Sequence, residues 1–259
     1  MKLTLAALTA VLAISALPTV VHAEDAPSTT FNIGLITDYR YRGISQSRLQ
    51  PALQGGADYS NPNGFYVGTW ASTIKWIKDA GTIAAVDTGN TQVEIDLYAG
   101  YKGEISKGVG FDVGGLYYWY PSNKITAIGG TSSADTFELY GALSYDVFTA
   151  KYSHSLTTLF GIGGNGAPSS AGSGYLDLSA TFDLGNGFSL SPHFGHQEVR
   201  SVSAASYNDY SLTLGKDLGG GFSLSLAAVG TDADKNLNFT PSGKFLGKNY
   251  LVLGAKFSF

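Results

Sequence analysis

The chain contains no cysteine, so neither a disulfide nor a lipid attached through a thiol can stabilise or anchor it. Charged side chains are scarce at 14% of the 259 residues, whereas typical soluble proteins carry about 25%. The net charge of −4 gives no electrostatic reason to expect a nucleic-acid partner. Beyond residue 23, no continuous apolar run reaches the ~20 residues that a membrane-spanning helix needs. These absences exclude a disulfide-stapled domain, a helical membrane protein and a nucleic-acid binder.

The first 23 residues have the pattern of an export signal. Lys2 gives a positive start, residues 3–20 are largely apolar, and Val21-His22-Ala23 has the small-x-small pattern of a cleavage site. We therefore predict a signal peptide over residues 1–23, cleaved after Ala23, and a short periplasmic segment over residues 24–30. The alternative is a retained single membrane anchor, which the cleavage site disfavours.

The last eleven residues alternate between an apolar and a wetter face. Phe259, Phe257 and Leu253 share the apolar face, whereas Ser258 and Lys256 lie on the other. This period of two predicts a β-strand, and its length matches a strand tilted across a bilayer. The aromatics Phe257 and Phe259 are typical of the signal that the barrel assembly machinery of bacterial outer membranes reads. The last strand of a soluble sandwich would look similar, so the rest of the chain decides.

The same alternation recurs in about twelve segments between residues 31 and 259, joined by alternately short and long connections. The short ones are rich in Gly and Asn, which tolerate the positive φ of tight turns. A phenylalanine begins each strand that leaves the short-turn side: Phe31, Phe65, Phe111, Phe148, Phe188 and Phe222. Such an aromatic girdle beside short periplasmic turns is typical of outer-membrane barrels, and a soluble sandwich has no reason for one. We predict an all-β transmembrane antiparallel up-and-down barrel of about twelve strands over residues 31–259, surrounded by outer-membrane lipid.

The more polar face of each strand must line the lumen, because a charged side chain facing lipid costs about 2–4 kcal/mol at the midplane. The candidate lumen-lining residues are Asp38, Arg40, Arg42, Gln54, Asp58, Glu94, Asp96, Asp112, Glu138, Lys151, Asp177 and Lys256. Asp38, Arg40 and Arg42 are the most distinctive, since they alternate along the predicted first strand towards the outer mouth. They form either a charged constriction that sorts ions by sign or structural ion pairs with acids such as Asp58 or Glu94. Pairing is favoured, and a paired cluster would still narrow a pore.

Four stretches in the first third of the chain resemble a known family. They read Asp38-Tyr-Arg-Tyr-Arg-Gly-Ile-Ser-Gln46, Pro51-Ala-Leu-Gln-Gly-Gly-Ala-Asp-Tyr59, Gly64-Phe-Tyr-Val-Gly-Thr-Trp-Ala-Ser72 and Glu94-Ile-Asp-Leu-Tyr-Ala-Gly-Tyr101. This set is similar to the TorF family of porin-type proteins, also described as the Gcw_chp family of proteobacterial proteins. The resemblance implies an outer-membrane β-barrel of porin type. It implies no particular solute and supplies no catalytic or binding residues.

The histidines give little support for an enzyme or a metal site. His193 and His196 are three residues apart on a predicted strand, so they point to opposite faces and cannot ligate one metal ion. His154 lies between Ser153 and Ser155, whose side chains point away from it on a strand, so a serine hydrolase would lack its nucleophile there. We therefore predict no catalytic residue, no metal ligand and no cofactor.

Three hypotheses for the function stay open. The first is a passive channel for small solutes or ions, with a weak cation preference because acids slightly outnumber bases in the predicted lumen. The second is a structural or adhesive barrel whose lumen is filled by its own side chains, and a remote third is a barrel enzyme. About eight strands leave a filled lumen and about sixteen leave a wide channel, so an intermediate count decides neither. Small lumen residues such as Gly34, Gly68 and Gly114 leave space and modestly favour the channel.

Cell fractionation with N-terminal sequencing tests the signal peptide. We expect the protein in the outer-membrane fraction with Glu24 as its first residue, because the pattern of residues 1–23 directs export and cleavage. A protein that is soluble in the periplasm, or that keeps Met1, would contradict the assignment.

Overall fold

The computed structural model describes residues 26–259, so the predicted signal peptide, residues 1–23, lies outside the described residues. The strands are β1 (Ser28–Ile36), β2 (Arg40–Tyr41), β3 (Ile44–Ser45), β4 (Ala52–Ser60), β5 (Phe65–Thr73), β6 (Val93–Ser106), β7 (Val109–Trp119), β8 (Thr136–Tyr145), β9 (Phe148–Ser155), β10 (Gly174–Ala180), β11 (Phe182–Gly185), β12 (Phe188–Glu198), β13 (Tyr207–Gly219), β14 (Phe222–Thr231) and β15 (Tyr250–Ser258). The described residues also include one α-helix, α1 (Trp76–Ala84), and three short 3-10 turns (Ile125–Ala127, Leu159–Gly161 and Ser203–Ala205).

Antiparallel pairing closes the sheet on itself. Each wall strand pairs with the next wall strand along the chain, and β1 also pairs with β15, where Ile36 lies opposite Gly254. β10 and β11 both pair with β12 and form the two halves of one wall strand, interrupted at Thr181. β2 and β3 form a separate small hairpin. The wall therefore has twelve strands, and the predicted closed antiparallel barrel is confirmed.

The connections are short at one end of the barrel and long at the other. At the short-turn end, each turn has two to four residues. At the long-connection end, the segments are residues 37–51, 74–92, 120–135, 156–173, 199–206 and 232–249. The sequence analysis did not predict connections at residues 37–51 and 199–206, or helix α1 within residues 74–92. Among residues 26–259, no helix is long and apolar enough to cross a membrane.

Side chains alternate between the two faces of the wall. On the outer face large apolar side chains stay exposed, as for Leu251 at 64% and Leu35 at 58%. On the inner face polar side chains are buried, as for Glu94 and Gln197 at 2% each. An apolar surface around a polar interior inverts the arrangement of a soluble protein, so this wall suits a lipid environment.

The predicted girdle residues lie near the short-turn end. Five of them have exposed side chains on the outer face: Phe31, Phe65, Phe148, Phe188 and Phe222. The sixth, Phe111, is half-buried, with its ring centroid 5.9 Å from that of Tyr101. Phenylalanine thus recurs around this rim of the outer wall.

The C-terminal residue belongs to the seam between β15 and β1. Phe31 N donates to Phe259 O at 2.8 Å, and Phe259 N donates to Phe31 O at 2.9 Å. The Phe259 ring stacks with the rings of Phe31 and Phe257, at centroid distances of 5.8 and 5.4 Å. The terminal aromatics therefore cover the place where the barrel closes.

The first strand differs from its prediction at both ends. It begins at Ser28, which pairs with Ser60, so residues 28–30 belong to the barrel wall rather than to a separate periplasmic segment. It ends at Ile36, so the placement of Asp38, Arg40 and Arg42 on the face of this strand is wrong. After Thr37, whose N–H donates to the Leu253 carbonyl at 2.9 Å, the chain leaves the sheet and turns into the barrel.

Replacing Phe259 with aspartate tests the role of the terminal aromatic in assembly. We expect most of the folded yield to be lost, because the seam loses its ring stacking and the chain loses its predicted assembly signal. The unfolding temperature of the fraction that does fold should change little, since a charge near the membrane interface costs only about 0–1 kcal/mol. The measurement is the mobility of unheated membrane samples in gel electrophoresis, which separates folded from unfolded barrels.

Lys256→Gln is the matched control, because Lys256 lies in the same strand with its side chain on the other face. It should keep the folded yield. A normal folded yield for Phe259→Asp at normal expression would count against an assembly role.

Candidate functional site

The connection between β1 and β4 folds back into the barrel. Residues 38–50, called the plug below, contain β2, β3 and the two-residue turn between them, Arg42–Gly43. Arg42 and Gly43 have φ angles of 47° and 80°, the positive values that tight hairpin turns use at both central positions. A Cβ atom on Gly43 would lie 2.7 Å from Cβ of Asp209 on β13. The tip of the plug therefore rests against β13, which lies three strands from β1 around the wall.

A buried polar network holds the base of the plug. The Asp38 carboxylate accepts hydrogen bonds from Arg40 Nε at 2.8 Å, Ser45 Oγ at 2.5 Å and Ser47 Oγ at 3.2 Å. Burial raises the pKa of the Asp38 carboxyl, and the Ser45 hydroxyl and the Arg40 guanidinium oppose that rise. Arg40 Nη1 also donates to the Lys248 carbonyl at 2.8 Å, which ties the plug to the last long connection.

The Arg42 side chain reaches the wall opposite β1. Its Nη2 donates to Glu138 Oε2 on β8 at 2.8 Å, and its Nη1 donates to Gln197 Oε1 on β12 at 2.6 Å. The guanidinium carbon lies 4.1 Å from the centroid of the Tyr175 ring on β10. Both members of the Arg42–Glu138 ion pair are nearly inaccessible, with 6% and 3% of their side chains exposed. The plug thus spans the lumen and is fixed at both ends.

Aromatic side chains fill the lumen around the plug. Tyr39 donates a hydrogen bond to the buried Glu94, and the hydroxyls of Tyr41 and Tyr118 are 2.7 Å apart. Phe160, from the connection between β9 and β10, packs with its ring centroid 5.3 Å from that of Tyr41 and 5.1 Å from that of Tyr118. In this conformation the plug and Phe160 close the half of the lumen nearer the long connections.

Helix α1 covers the plug from outside. Arg48 Nε donates to Asp79 Oδ2 on the helix at 2.8 Å, and the hydrogen bonds to the Asp79 carboxylate raise the pKa of the Arg48 guanidinium. The N–H of Lys75, just before the helix, donates to the Gln46 carbonyl at 2.8 Å. The helix and the plug are therefore held together by both side-chain and backbone contacts.

In the half of the lumen nearer the short turns, tyrosine rings lie over glycines of neighbouring strands. A Cβ atom on these glycines would collide with the ring or hydroxyl of the paired tyrosine. The pairs are Gly68 with Tyr98, Gly100 with Tyr66, and Gly114 with Tyr140. The prediction that Gly68 and Gly114 leave space is thus corrected, because a neighbouring ring occupies that space. The ring lies against the wall as a result and stays out of the middle of the lumen.

The predicted lumen charges of this half contact the same tyrosines. Tyr98 donates a hydrogen bond to Asp58, and Tyr66 donates to Asp112 Oδ1 at 2.6 Å. Lys151 Nζ lies 4.0 Å from the centroid of the Tyr140 ring. The tyrosines therefore hold charges of both signs against the wall.

The remaining predicted lumen residues also lie on the inner face. Gln54 is buried and its Nε2 donates to Ser72 Oγ at 3.3 Å. Asp177 is buried, and Asp96 and Lys256 are half-buried. Asp96 Oδ1 is buried and has no hydrogen-bond partner among the described residues.

The plug charges pair differently from the prediction. Instead of acids on β4 or β6, Arg40 pairs with Asp38 in the plug itself, and Arg42 pairs with Glu138. The reason is that the segment leaves the wall after Thr37, so Arg40 bonds within the plug and Arg42 reaches the far wall. Ion pairing is therefore present, with partners other than the predicted ones, and the sorting of ions by sign stays a prediction.

Sequence reasoning missed a second charged cluster, on β10, β12 and β13. His193 Nε2 lies 3.2 Å from Asp177 Oδ2, and His193 Nδ1 lies 3.6 Å from Asp209 Oδ1. Only Asp177 was predicted in the lumen. The alternation of side chains along a strand would have identified His193 and Asp209 as well. His193 lies on the same face of its strand as the polar Gln197, and Asp209 lies on the face opposite Tyr210. Among residues 26–259, no group of three or more His, Asp or Glu side chains is arranged to hold a metal ion.

The serines beside His154 are placed as the strand pattern predicts. Ser153 and Ser155 are buried on the inner face of β9. His154 lies on the outer face, with its ring centroid 6.3 Å from that of Tyr152. These two serines are therefore not placed to act as a nucleophile for His154.

Comparisons with known proteins agree with this fold. A family model described as "Bacterial protein of unknown function (Gcw_chp)" matches residues 22–259. A structure of the KdgM porin is 7% identical with a TM-score of 0.53, over 89% of this chain and 99% of that chain. A structure of the KdgM porin in complex with disordered oligogalacturonate is 6% identical with a TM-score of 0.52, over 90% of this chain and 99% of that chain. A structure of the NanC porin is 11% identical with a TM-score of 0.50, over 89% of this chain and 98% of that chain. No curated protein matches the chain.

Gly43→Val should release the plug, because a side chain at Gly43 collides with Asp209 on β13 and strains a positive φ. Trypsin added to folded protein in liposomes should then cut after Arg40 and Arg42, which are buried in the wild type. Lys244, which is exposed in the last long connection and lies outside the plug, serves as an internal standard for cleavage. Mass spectrometry of the fragments gives the result.

Gly129→Val is the matched control, since a Cβ atom there meets nothing within 4 Å. It should leave the wild-type cleavage pattern unchanged. If Gly43→Val is no more sensitive than Gly129→Val, the plug does not depend on this contact.

Proposed function

Because the chain belongs to the Gcw_chp family and forms a closed barrel with the fold of porins, we propose that it is an outer-membrane porin. In this proposal it is a passive diffusion channel for small solutes or ions. The observation that carries it is a closed wall with an apolar outer face and a polar inner face. The short turns face the periplasm, and the barrel assembly machinery reads Phe257 and Phe259. The narrower TorF assignment stays a prediction, and no enzymatic role is proposed.

A weak cation preference follows from the charges inside the barrel. The acids are Asp38, Asp58, Glu94, Asp96, Asp112, Glu138, Asp177 and Asp209. The bases are Arg40, Arg42, Lys102, Lys151 and Lys256. Acidic residues outnumber basic residues in the lumen, as the sequence analysis predicted, and Asp209 increases the excess of acids. The preference should fade with salt, since the Debye length falls from about 8 Å at physiological ionic strength to about 3 Å at molar salt.

The ligand of one structural neighbour is not carried over. The KdgM porin binds oligogalacturonate in one of the compared structures. In the present barrel the excess of acids would repel such an anion. The charge balance therefore favours neutral or cationic solutes.

Passage of a solute requires the plug to move. The plug is inserted between Ile36 and Ala52, which are direct register partners on β1 and β4. The plug can therefore leave the lumen without unpairing these strands. A channel that opens by plug movement is compatible with a wall that stays intact.

One observation favours the second candidate, a structural barrel with a filled lumen. The plug, Phe160 and the buried ion pair close the half of the lumen nearer the long connections. If the plug never moves, the barrel transports nothing and serves as a scaffold for its long connections.

Planar-bilayer recording decides between the two. We expect a larger single-channel conductance when a short Gly-Ser turn replaces residues 38–50, because Ile36 and Ala52 are already adjacent. The reversal potential under a salt gradient should show a weak cation preference. Within this variant, Asp112→Asn should weaken that preference and Lys256→Gln should strengthen it.

If neither the wild type nor the variant without the plug conducts, the channel proposal is wrong and the second candidate, a structural barrel with a filled lumen, is supported. If both conduct but Asp112→Asn and Lys256→Gln give the same reversal potential, these charges do not line the path of the ions.

A further inference from the structure

The wall residues that hold Arg42 form a site that is complete without the plug. We propose that Glu138, Tyr175 and Gln197 are a binding site for guanidinium cations, filled here by Arg42, and that solutes carrying a guanidinium group compete with the plug for it. This inference rests on the proposed channel function and names the class of solute that opens and enters the channel.

Contacts within the wall orient the two hydrogen-bond acceptors of the site. Gln197 Nε2 donates to the Gly174 and Glu198 carbonyls, each at 3.0 Å, which leaves the amide oxygen free to accept from Arg42. Glu138 Oε2 also accepts a hydrogen bond from the Tyr118 hydroxyl at 3.3 Å. Because none of these supporting groups belongs to the plug, both acceptors keep their orientation when the plug leaves.

The aromatic surface of the site is fixed in the same way. The Tyr175 hydroxyl donates to Asp209 Oδ2 at 3.0 Å, and its ring lies over Gly195, which has no side chain to displace it. Tyr175 therefore presents one face to the lumen, where the guanidinium of Arg42 stacks. Asp209 adds a second negative charge behind this ring.

The geometry selects a guanidinium rather than a simple ammonium. The two acceptors belong to β8 and β12, on either side of the ring from β10, and two separate nitrogens of Arg42 reach them at 2.8 and 2.6 Å. A planar fork can donate to both and stack its flat face on the tyrosine at the same time. An ammonium group is compact and has no flat face, so it cannot satisfy all three contacts.

The position of Arg42 in the turn supports the same conclusion. Its φ of 47° is one that Asn and Gly adopt more easily than arginine does. The turn itself therefore gives no reason for an arginine here. The side chain is explained by the site it fills, so the plug acts as a built-in competitor for the solute.

Removal of the Arg42 side chain empties the site and makes it available to added ligands. The probes are methylguanidinium and methylammonium, which carry the same charge and differ in shape. Purified Arg42→Ala should rise in unfolding temperature with methylguanidinium at about tenfold lower concentration than with methylammonium, a difference of about 1.4 kcal/mol in binding. The wild type, whose site is occupied, should respond weakly to both probes.

Two double variants locate the effect. Arg42→Ala with Glu138→Leu should lose the difference between the probes, because the planar fork then has only one of its two acceptors. Arg42→Ala with Glu104→Leu, the same substitution at an exposed glutamate near the short turns, should keep it. Should Arg42→Ala fail to fold, Arg42→Lys replaces it, since it keeps the charge that Glu138 requires and loses the planar fork.

Bilayer recording separates this inference from the channel proposal. Methylguanidinium should block the current through Arg42→Ala at lower concentration than methylammonium. Equal potency of the two probes, or an unchanged difference in the Glu138→Leu double variant, would overturn the guanidinium site. Selective binding without any current would support the site and overturn the channel.

Discussion

The structure depends on backbone hydrogen bonding in a lipid environment, where an unpaired N–H or C=O group has no water to replace its partner. Each wall strand therefore has a partner on both sides, and the last free edges, β1 and β15, pair with each other. Closure also fixes the direction of the side chains in the wall, because successive residues must then point alternately into lipid and into the lumen. The apolar outer band and the polar interior follow from this one condition.

A closed wall creates a second problem, since the charges it turns inward must find partners. Near the short turns, Tyr66 and Tyr98 hold Asp112 and Asp58 against the wall. Near the long connections, the partner of Glu138 is supplied by the plug, which brings Arg42 across the lumen. Intramembrane charges normally pair with one another, and here the same ion pair that compensates the charge of Glu138 also narrows the lumen.

The wall was predictable from the sequence because its pattern is local: a period of two, turn residues and recurring phenylalanines. The plug was not predictable, since residues 37–41 continue the alternation of β1 and only Arg42–Gly43 marks the reversal. A period of two cannot distinguish a strand in the wall from a hairpin inside it. The contacts of Arg42 also join residues 96 and 155 positions apart, and no pattern in a single sequence records such distances. The inward position of most predicted acids could be deduced from the alternation along each strand alone. Their hydrogen-bond partners could not, because these depend on the register between strands.

The attachment of the plug has a consequence for the order of events in folding. Neighbouring wall strands follow one another along the chain, so their pairing needs only short loop closures, with the seam between β1 and β15 as the exception. The plug is tethered to β1, yet its partners lie on β8, β10 and β12 and in the connection before β15. The contacts of Arg42 can form only when these distant strands already stand opposite β1. We therefore expect the Arg42 end of the plug to dock after the wall has closed, as a step separate from strand pairing.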